Sequence, residues 1–253
     1  MDYANHNNEI LEINEKNNMD GSFPLLLAIR NNNLEIIKLL INYAKNNSIK
    51  LNINEKDKEE DSPLLCAVRN NNIEIIKLLM KYAKKNNIRL EIEVKDENNF
   101  TPFLMAVRNN CIDIAKLLID HANADKIRLG IEIKMNKNKF YPLLYACQNN
   151  NFEMAKLIID YSNSKKITLN INEKNVNGIS PIYYAINSNN IKFVKLLINY
   201  TSKKNIILMI NDKNKDGLNP ISLAIYKNRV KILKLLIQYA NSKNIILNVN
   251  EKK

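Results

Sequence analysis

Six prolines, Pro24, Pro63, Pro102, Pro142, Pro181 and Pro220, stand 39, 39, 40, 39 and 39 residues apart, and around each the same pattern recurs. Its clearest copy runs from Ser62-Pro63-Leu64-Leu65-Cys66-Ala67 through Asn70-Asn71-Asn72 to Leu78-Leu79-Met80-Lys81-Tyr82-Ala83. A period of this size is the signature of a stacked array, in which each repeat buries its apolar face only against its neighbours. The expectation of one or two globular domains for 253 residues therefore gives way to a repeat solenoid.

Each repeat opens with Pro at the first helical position, where its missing N–H costs nothing and its fixed φ suits a helix. The preceding residue is then the N-cap. Ser62, Thr101, Ser180 and Asn219 carry a side-chain oxygen that can accept from the first turn, whereas Phe23 and Tyr141 do not. Four residues after Pro comes Ala28, Ala67, Ala106, Ala146, Ala185 or Ala224, small enough for two helices to approach closely. Eight residues after Pro stands Asn32, Asn71, Asn110, Asn150, Asn189 or Asn228. Asn is the residue other than Gly that most readily takes the left-handed conformation, so this position predicts the turn into a second, antiparallel helix. That second helix, as in Leu34 to Ala44, has a wide apolar stripe and an outer face carrying Lys38, Lys77, Lys116, Lys156, Lys195 and Lys234. The first four of these lysines follow Glu35, Glu74, Asp113 and Glu153 at i,i+3 spacing; Lys192 and Lys231 replace the acid in the last two repeats.

Between helix pairs the periodicity changes to two, as in Ile49-Lys50-Leu51-Asn52-Ile53-Asn54 and Ile88-Arg89-Leu90-Glu91-Ile92-Glu93, followed by turn formers such as Asn175-Val176-Asn177-Gly178. Alternation argues for extended, half-buried segments, here projecting as hairpins at one edge of the stack. The 40-residue step places one inserted residue between Glu132 and Phe140. The divisions are a partial repeat over 1–17 and repeats at about 18–56, 57–95, 96–135, 136–174, 175–213 and 214–253, forming one solenoid. The last helix pair is as apolar as the internal ones, which suggests a segment of a longer array or an end that self-associates.

Cys66, Cys111 and Cys147 have no paired spacing and read as reduced packing residues in a reducing compartment. The first residues lack a secretory pattern, and no apolar stretch is long enough to span a bilayer, so the expected location is intracellular, cytoplasmic or nuclear. A formal charge of +12 favours acidic partners. No catalytic, metal or cofactor constellation is found: His6 and His121 have no counterparts from repeat to repeat, and His121 stands where other second helices end in Tyr43 or Tyr82. Four glycines do not make a phosphate loop, and Glu59-Glu60-Asp61 lies in a turn. No enzymatic activity is expected.

Helix, Asn turn, helix and connection, opened by Thr101-Pro102-Phe103-Leu104-Met105-Ala106 and carrying Leu-Leu or Leu-Ile pairs from Leu39-Leu40 to Leu235-Leu236, resemble ankyrin repeats from about Glu9 to Lys253. The family's period is 33, so each repeat here carries about six extra residues. Its His two residues after Pro is replaced by Leu26, Leu65, Leu104, Leu144, Tyr183 and Ser222, so apolar packing must replace the hydrogen bonds of that His. The resemblance implies a binding module whose partner meets the hairpin tips and the concave face of the first helices. Carried over by position, that face holds Arg30, Arg69, Arg108, Gln148, Asn187 and Tyr226, and the tips hold Ser22, Asp61, Phe100, Phe140, Ile179 and Leu218. The early repeats thus offer an Arg ladder suited to carboxylates, and the later ones offer apolar tips, which fits a protein segment acidic at one end and apolar at the other. Two alternatives stand beside this reading. One is a basic surface for nucleic acid or anionic lipid, supported by Lys192, Lys195, Lys203, Lys204, Lys231 and Lys234; the other is a structural spacer.

Overall fold

The computed structural model describes residues 10–132, 134 and 138–248. Among the described residues it contains twelve α-helices and no β-strand. They fall in two compact units, Met1–Leu129 and Gly130–Lys253. The first unit carries α1 (Pro24–Arg30), α2 (Leu34–Asn46), α3 (Pro63–Arg69), α4 (Ile73–Lys85), α5 (Pro102–Arg108) and α6 (Ile112–Ala124). The second carries α7 (Pro142–Gln148), α8 (Phe152–Ser164), α9 (Pro181–Asn187), α10 (Ile191–Lys203), α11 (Pro220–Tyr226) and α12 (Val230–Ser242).

Within each unit a seven-residue helix and a thirteen-residue helix form an antiparallel pair, and successive short helices pack side by side. Seven residues are too few for a stable isolated helix, so the short helices depend on burial. In α3 every residue from Pro63 to Val68 is buried, and the same holds for Pro102 to Val107 in α5. Each fully buried Leu, Ile or Val contributes about 2 kcal/mol. All six Ala of the repeat are buried, as close helix approach requires. All six Asn of the turn have positive φ, between 50° and 61°. The next residue then caps the long helix: the Oδ1 of Asn33, Asn72, Asn151 and Asn190 accepts from the first turns of α2, α4, α8 and α10.

Three local expectations change. Ser180 makes no side-chain cap bond, unlike Ser62, Thr101 and Asn219. Of the four i,i+3 ion pairs, only Lys38 with Glu35, at 3.0 Å, closes among the described residues. Finally, the period-two segments are extended loops that do not pair as hairpin strands. Their alternation is real, since Leu51, Ile53, Leu90 and Ile92 are buried between exposed or half-buried neighbours. Side chains, however, take the peptide groups that a strand partner would have taken. Asn54 Nδ2 donates to the carbonyl of Arg89 at 2.8 Å, while its Oδ1 accepts the N–H of Glu91 at 3.0 Å. Asn14, Asn172 and Asn211 repeat this two-pronged bond toward the next repeat. A primary amide carries both a donor and an acceptor, so one Asn imitates one peptide group.

From the other side, the hydroxyls of Tyr43, Tyr82, Tyr200 and Tyr239 accept the N–H of Leu11, Leu51, Leu169 and Leu208. The tips are closed by Asp57, Asp96, Asn175 and Asn214, whose Oδ1 accepts the N–H groups two and four residues on. Leu26, Leu65, Leu104 and Leu144 are fully buried, as apolar replacement of the family His requires. Tyr183, at the same position, instead donates its hydroxyl to the carbonyls of Leu218 and Asp212. The inserted residue between Glu132 and Phe140 lies largely outside the described residues, as does His6.

Candidate functional site

The first unit places Arg30 and Arg69 at the end of short helices beside the next tip, and both are engaged within the chain. Arg30 contacts Asp20 at 3.4 Å, Glu59 at 3.3 Å, Asp61 at 3.2 Å and also Asp57. Arg69 grips Asp61 with two bonds of 2.6 and 2.7 Å and lies 3.8 Å from Asp96. Asp61 is buried, against the expectation of an exposed tip residue. Burial alone would push its carboxyl up, but the bonds and charges of Arg69 and Arg30 outweigh burial and hold it low. Arg69 is held more firmly protonated, first by its bond to Asp61. Asp20 is lowered to about 2 by the backbone and hydroxyl of Ser22. Burial drives the Cys66 thiol up to about 12, which makes it an inert packing group.

The Arg ladder of the first two repeats is thus a closed network in which carboxylates outnumber guanidiniums, and Arg30 fills the space among Asp57, Glu59 and Asp61. Those three carboxylates could meet a cation within 4.8 Å of one another, and the guanidinium already supplies the positive charge. In the third repeat, Arg108 is exposed and stacks 4.8 Å from the ring centre of Phe100. Phe100 itself is only 5% exposed, so it is a packing platform and not the surface apolar tip expected of it. His121 lies in the last turn of α6, its Nε2 3.3 Å from Asp125 but without hydrogen-bond geometry.

The second unit has the opposite character. Phe140, 8% exposed, is buried against the ring of Tyr145 at 4.6 Å and lies 6.5 Å from Tyr184, again correcting an expected surface position. Ile179 and Leu218 are half-buried, and Gln148, Asn187 and Tyr226 are exposed. Four of these expected site residues, Ile179, Asn187, Leu218 and Tyr226, converge on one groove of about 300 Å³ between α9, α11 and the tips before them. Its floor is apolar and aromatic, with Tyr184 and Leu223, and Asp216 and Lys227 stand at its rim. Tyr226 is 73% exposed, a large aromatic surface left in water. Tyr184 and Leu223 were not anticipated. They occupy the position three residues after Pro, where the six copies read Leu27, Cys66, Met105, Tyr145, Tyr184 and Leu223. The variation that drew attention to Arg30 and its counterparts was equally present one turn earlier.

The arrangement offers apolar contact, amide hydrogen bonding and rim charge, without an activated nucleophile or acid–base pair. Among the described residues no helix is long and apolar enough to cross a membrane.

The family model for ankyrin repeats, three copies in length, matches residues 3–90, 45–129, 85–170, 125–207 and 165–250. No curated protein matches the chain. Among solved structures, an ankyrin repeat domain from Acinetobacter baumannii is 22% identical with a TM-score of 0.64, over 86% of this chain and 97% of that one. A chain from the Bdellovibrio bacteriovorus predatory endopeptidase Bd0816 in complex with immunity protein Bd3460 is 23% identical with a TM-score of 0.60, over 86% and 98%. The ankyrin repeat domain of Bcl-3, a member of the IkappaB family, is 19% identical with a TM-score of 0.51, over 85% and 99%.

Proposed function

Because the chain belongs to the ankyrin-repeat family, whose domains generally mediate protein–protein interaction and are typically non-enzymatic, we propose that it is a recognition module that holds a protein segment against its second unit. The observation that carries this reading is the groove between α9 and α11, with Tyr226 open to solvent above Ile179, Leu218, Tyr184 and Leu223. A few aromatic and aliphatic anchors in a partly desolvated groove supply most of the affinity in such contacts. The segment that fits carries apolar side chains, with a basic group toward Asp216 or an acidic one toward Lys227. Taken by itself, the first unit offers the exposed Arg108 as a separate place where a carboxylate can be met. The Bdellovibrio complex, of similar fold, joins an endopeptidase to an immunity protein, and a folded protein partner is likewise compatible here.

The test is selection of a random peptide library displayed on phage against the wild-type chain, followed by fluorescence anisotropy with the selected peptides. Leu218→Asp and Tyr226→Ala should weaken binding by about tenfold or more, which corresponds to about 1.4 kcal/mol, with unchanged helical circular dichroism. Selected peptides that bind both variants as tightly as wild type would remove the groove as the site. Arg108→Glu reports separately on the first unit. Replacing Arg30 does not, because it strips the partner from several carboxylates and destabilises the fold itself.

A further inference from the structure

The long helices of the second unit differ sharply in charge. In α8, Glu153 and Asp160 accompany Lys156, whereas α10 and α12 contain no acidic residue at all. Helix α10 carries Lys192, Lys195 and Lys203, with Lys204 at its cap; α12 carries Lys231 and Lys234, flanked by Lys227, Arg229 and Lys243. The two helices pack against each other, and Lys192 with Lys231, and Lys195 with Lys234, occupy equivalent positions one repeat apart. Adjacent repeats step by roughly 10 Å, and i,i+3 neighbours lie closer still. These four lysines are exposed, and none of them closes an ion pair among the described residues. The nearest acids on an element packed against α10 are Glu153 and Asp160 of α8. The helices packed most closely against α12 are α10 and α11, neither of which has an acidic residue. Like charges at this spacing repel, so the patch costs stability unless something anionic meets it.

A second feature shares the patch. Val230, Lys234 and Ile237 follow the i, i+4, i+7 rule and lie on one edge of α12. Val230 is 54% and Ile237 38% exposed. The tyrosines of these helices, Tyr200 and Tyr239, are buried, so the face offers no aromatic platform on which bases could stack. Lysines interleaved with exposed aliphatic side chains match the interface of an anionic bilayer, where ammonium groups meet headgroups and apolar side chains enter the acyl boundary.

We propose that the face formed by α10 and α12 docks on an anionic lipid bilayer, with Lys192, Lys195, Lys231 and Lys234 on the headgroups and Val230 and Ile237 inserted. It is separate from the groove and does not depend on it. The experiment is co-sedimentation with vesicles of phosphatidylcholine containing phosphatidylserine, beside vesicles of phosphatidylcholine alone. The wild type should pellet with the anionic vesicles and be released by salt. The variant K192E/K195E/K231E/K234E should bind about 100-fold more weakly or worse; K192Q/K195Q/K231Q/K234Q gives a second reading if charge reversal disturbs folding. The chain has no Trp, so V230W supplies a single indole reporter, whose emission should shift to the blue on anionic vesicles. No binding to those vesicles, binding equal in the lysine variants, or indole emission from V230W that stays as in water would each overturn the proposal. Retention on a random DNA duplex without vesicle binding would assign the lysines to nucleic acid and overturn it as well.

Discussion

Single residues in this chain are chosen for one backbone conformation or one hydrogen bond, and substitutions expose which. Asn189, at φ 54°, should tolerate Gly but lose about 1–2 kcal/mol as Asn189→Val, because a β-branched side chain is strained in the left-handed region; urea unfolding measures both. Tyr82→Phe removes the acceptor for the N–H of Leu51, leaving a buried donor unpaired. A loss of about 1–3 kcal/mol is expected, with little change in the denaturant slope. Asp61 makes a pH prediction. Its folded pKa lies below the ordinary carboxylate value, so its contribution to stability is fully present above roughly pH 4 and disappears as pH falls through the folded value. Asp61→Asn should therefore cost about 2 kcal/mol at neutral pH. The difference between wild type and variant should shrink in acid; a gap that stays constant down to about pH 3 would show that the charge is not what matters. The sequence made Asn189 legible, because one backbone state and one residue type coincide. Asp61 was not legible as a buried residue, since its burial depends on guanidiniums eight and thirty-one residues away.

At the scale of elements, the twelve helices could be read from Pro, Asn and apolar spacing, because the start, turn and buried stripe of a helix are encoded within a few residues of one another. The connections could not be read as fully. A period of two reports which side chains are buried, and it does so correctly at Leu51 and Ile53, but it says nothing about what pairs with the peptide groups. That role falls to Asn14 and Tyr82, one on each neighbouring repeat. Caps allow a paired test. Ser62→Ala should cost about 1 kcal/mol and Ser180→Ala distinctly less, since only Ser62 accepts from the first turn of its helix. His121 stands where Tyr82 makes its clamp one repeat earlier. The substitution His121→Tyr places a hydroxyl toward the N–H of Leu90 and should raise stability by about 1 kcal/mol in thermal or urea unfolding.

For the molecule as a whole, stability is distributed over neighbouring interfaces and not held in one core. Repeat six shows the effect: Ile225 is open where its counterpart Ile186 in α9 is fully buried. Native-state hydrogen exchange should therefore find α12 less protected than α10 by about tenfold or more, about 1.4 kcal/mol. Equal protection would mean that repeat six gains its stability elsewhere. The candidate groove was half legible in the same terms. Positions where the copies differ pointed to Ile179, Asn187, Leu218 and Tyr226, but burial of Phe100 and Phe140 and internal pairing of Arg30 are properties of the stack that no single copy reveals.

The two-pronged Asn has a consequence for how such a molecule can change over generations. A continuous β-ladder fixes the length of every strand it joins, and a lost or gained residue slips the whole register. Here the joints held by Asn14, Asn54, Asn172 and Asn211 each use a single amide, as Asn54 does for Arg89 and Glu91. A copied or deleted repeat, cut in the same phase, leaves each remaining amide facing the carbonyl and N–H it faced before. Between joints the chain is free to gain a residue, as the single 40-residue step does. The joints held this way behave as teeth of a zip fastener, which can be added or removed while the rest still close.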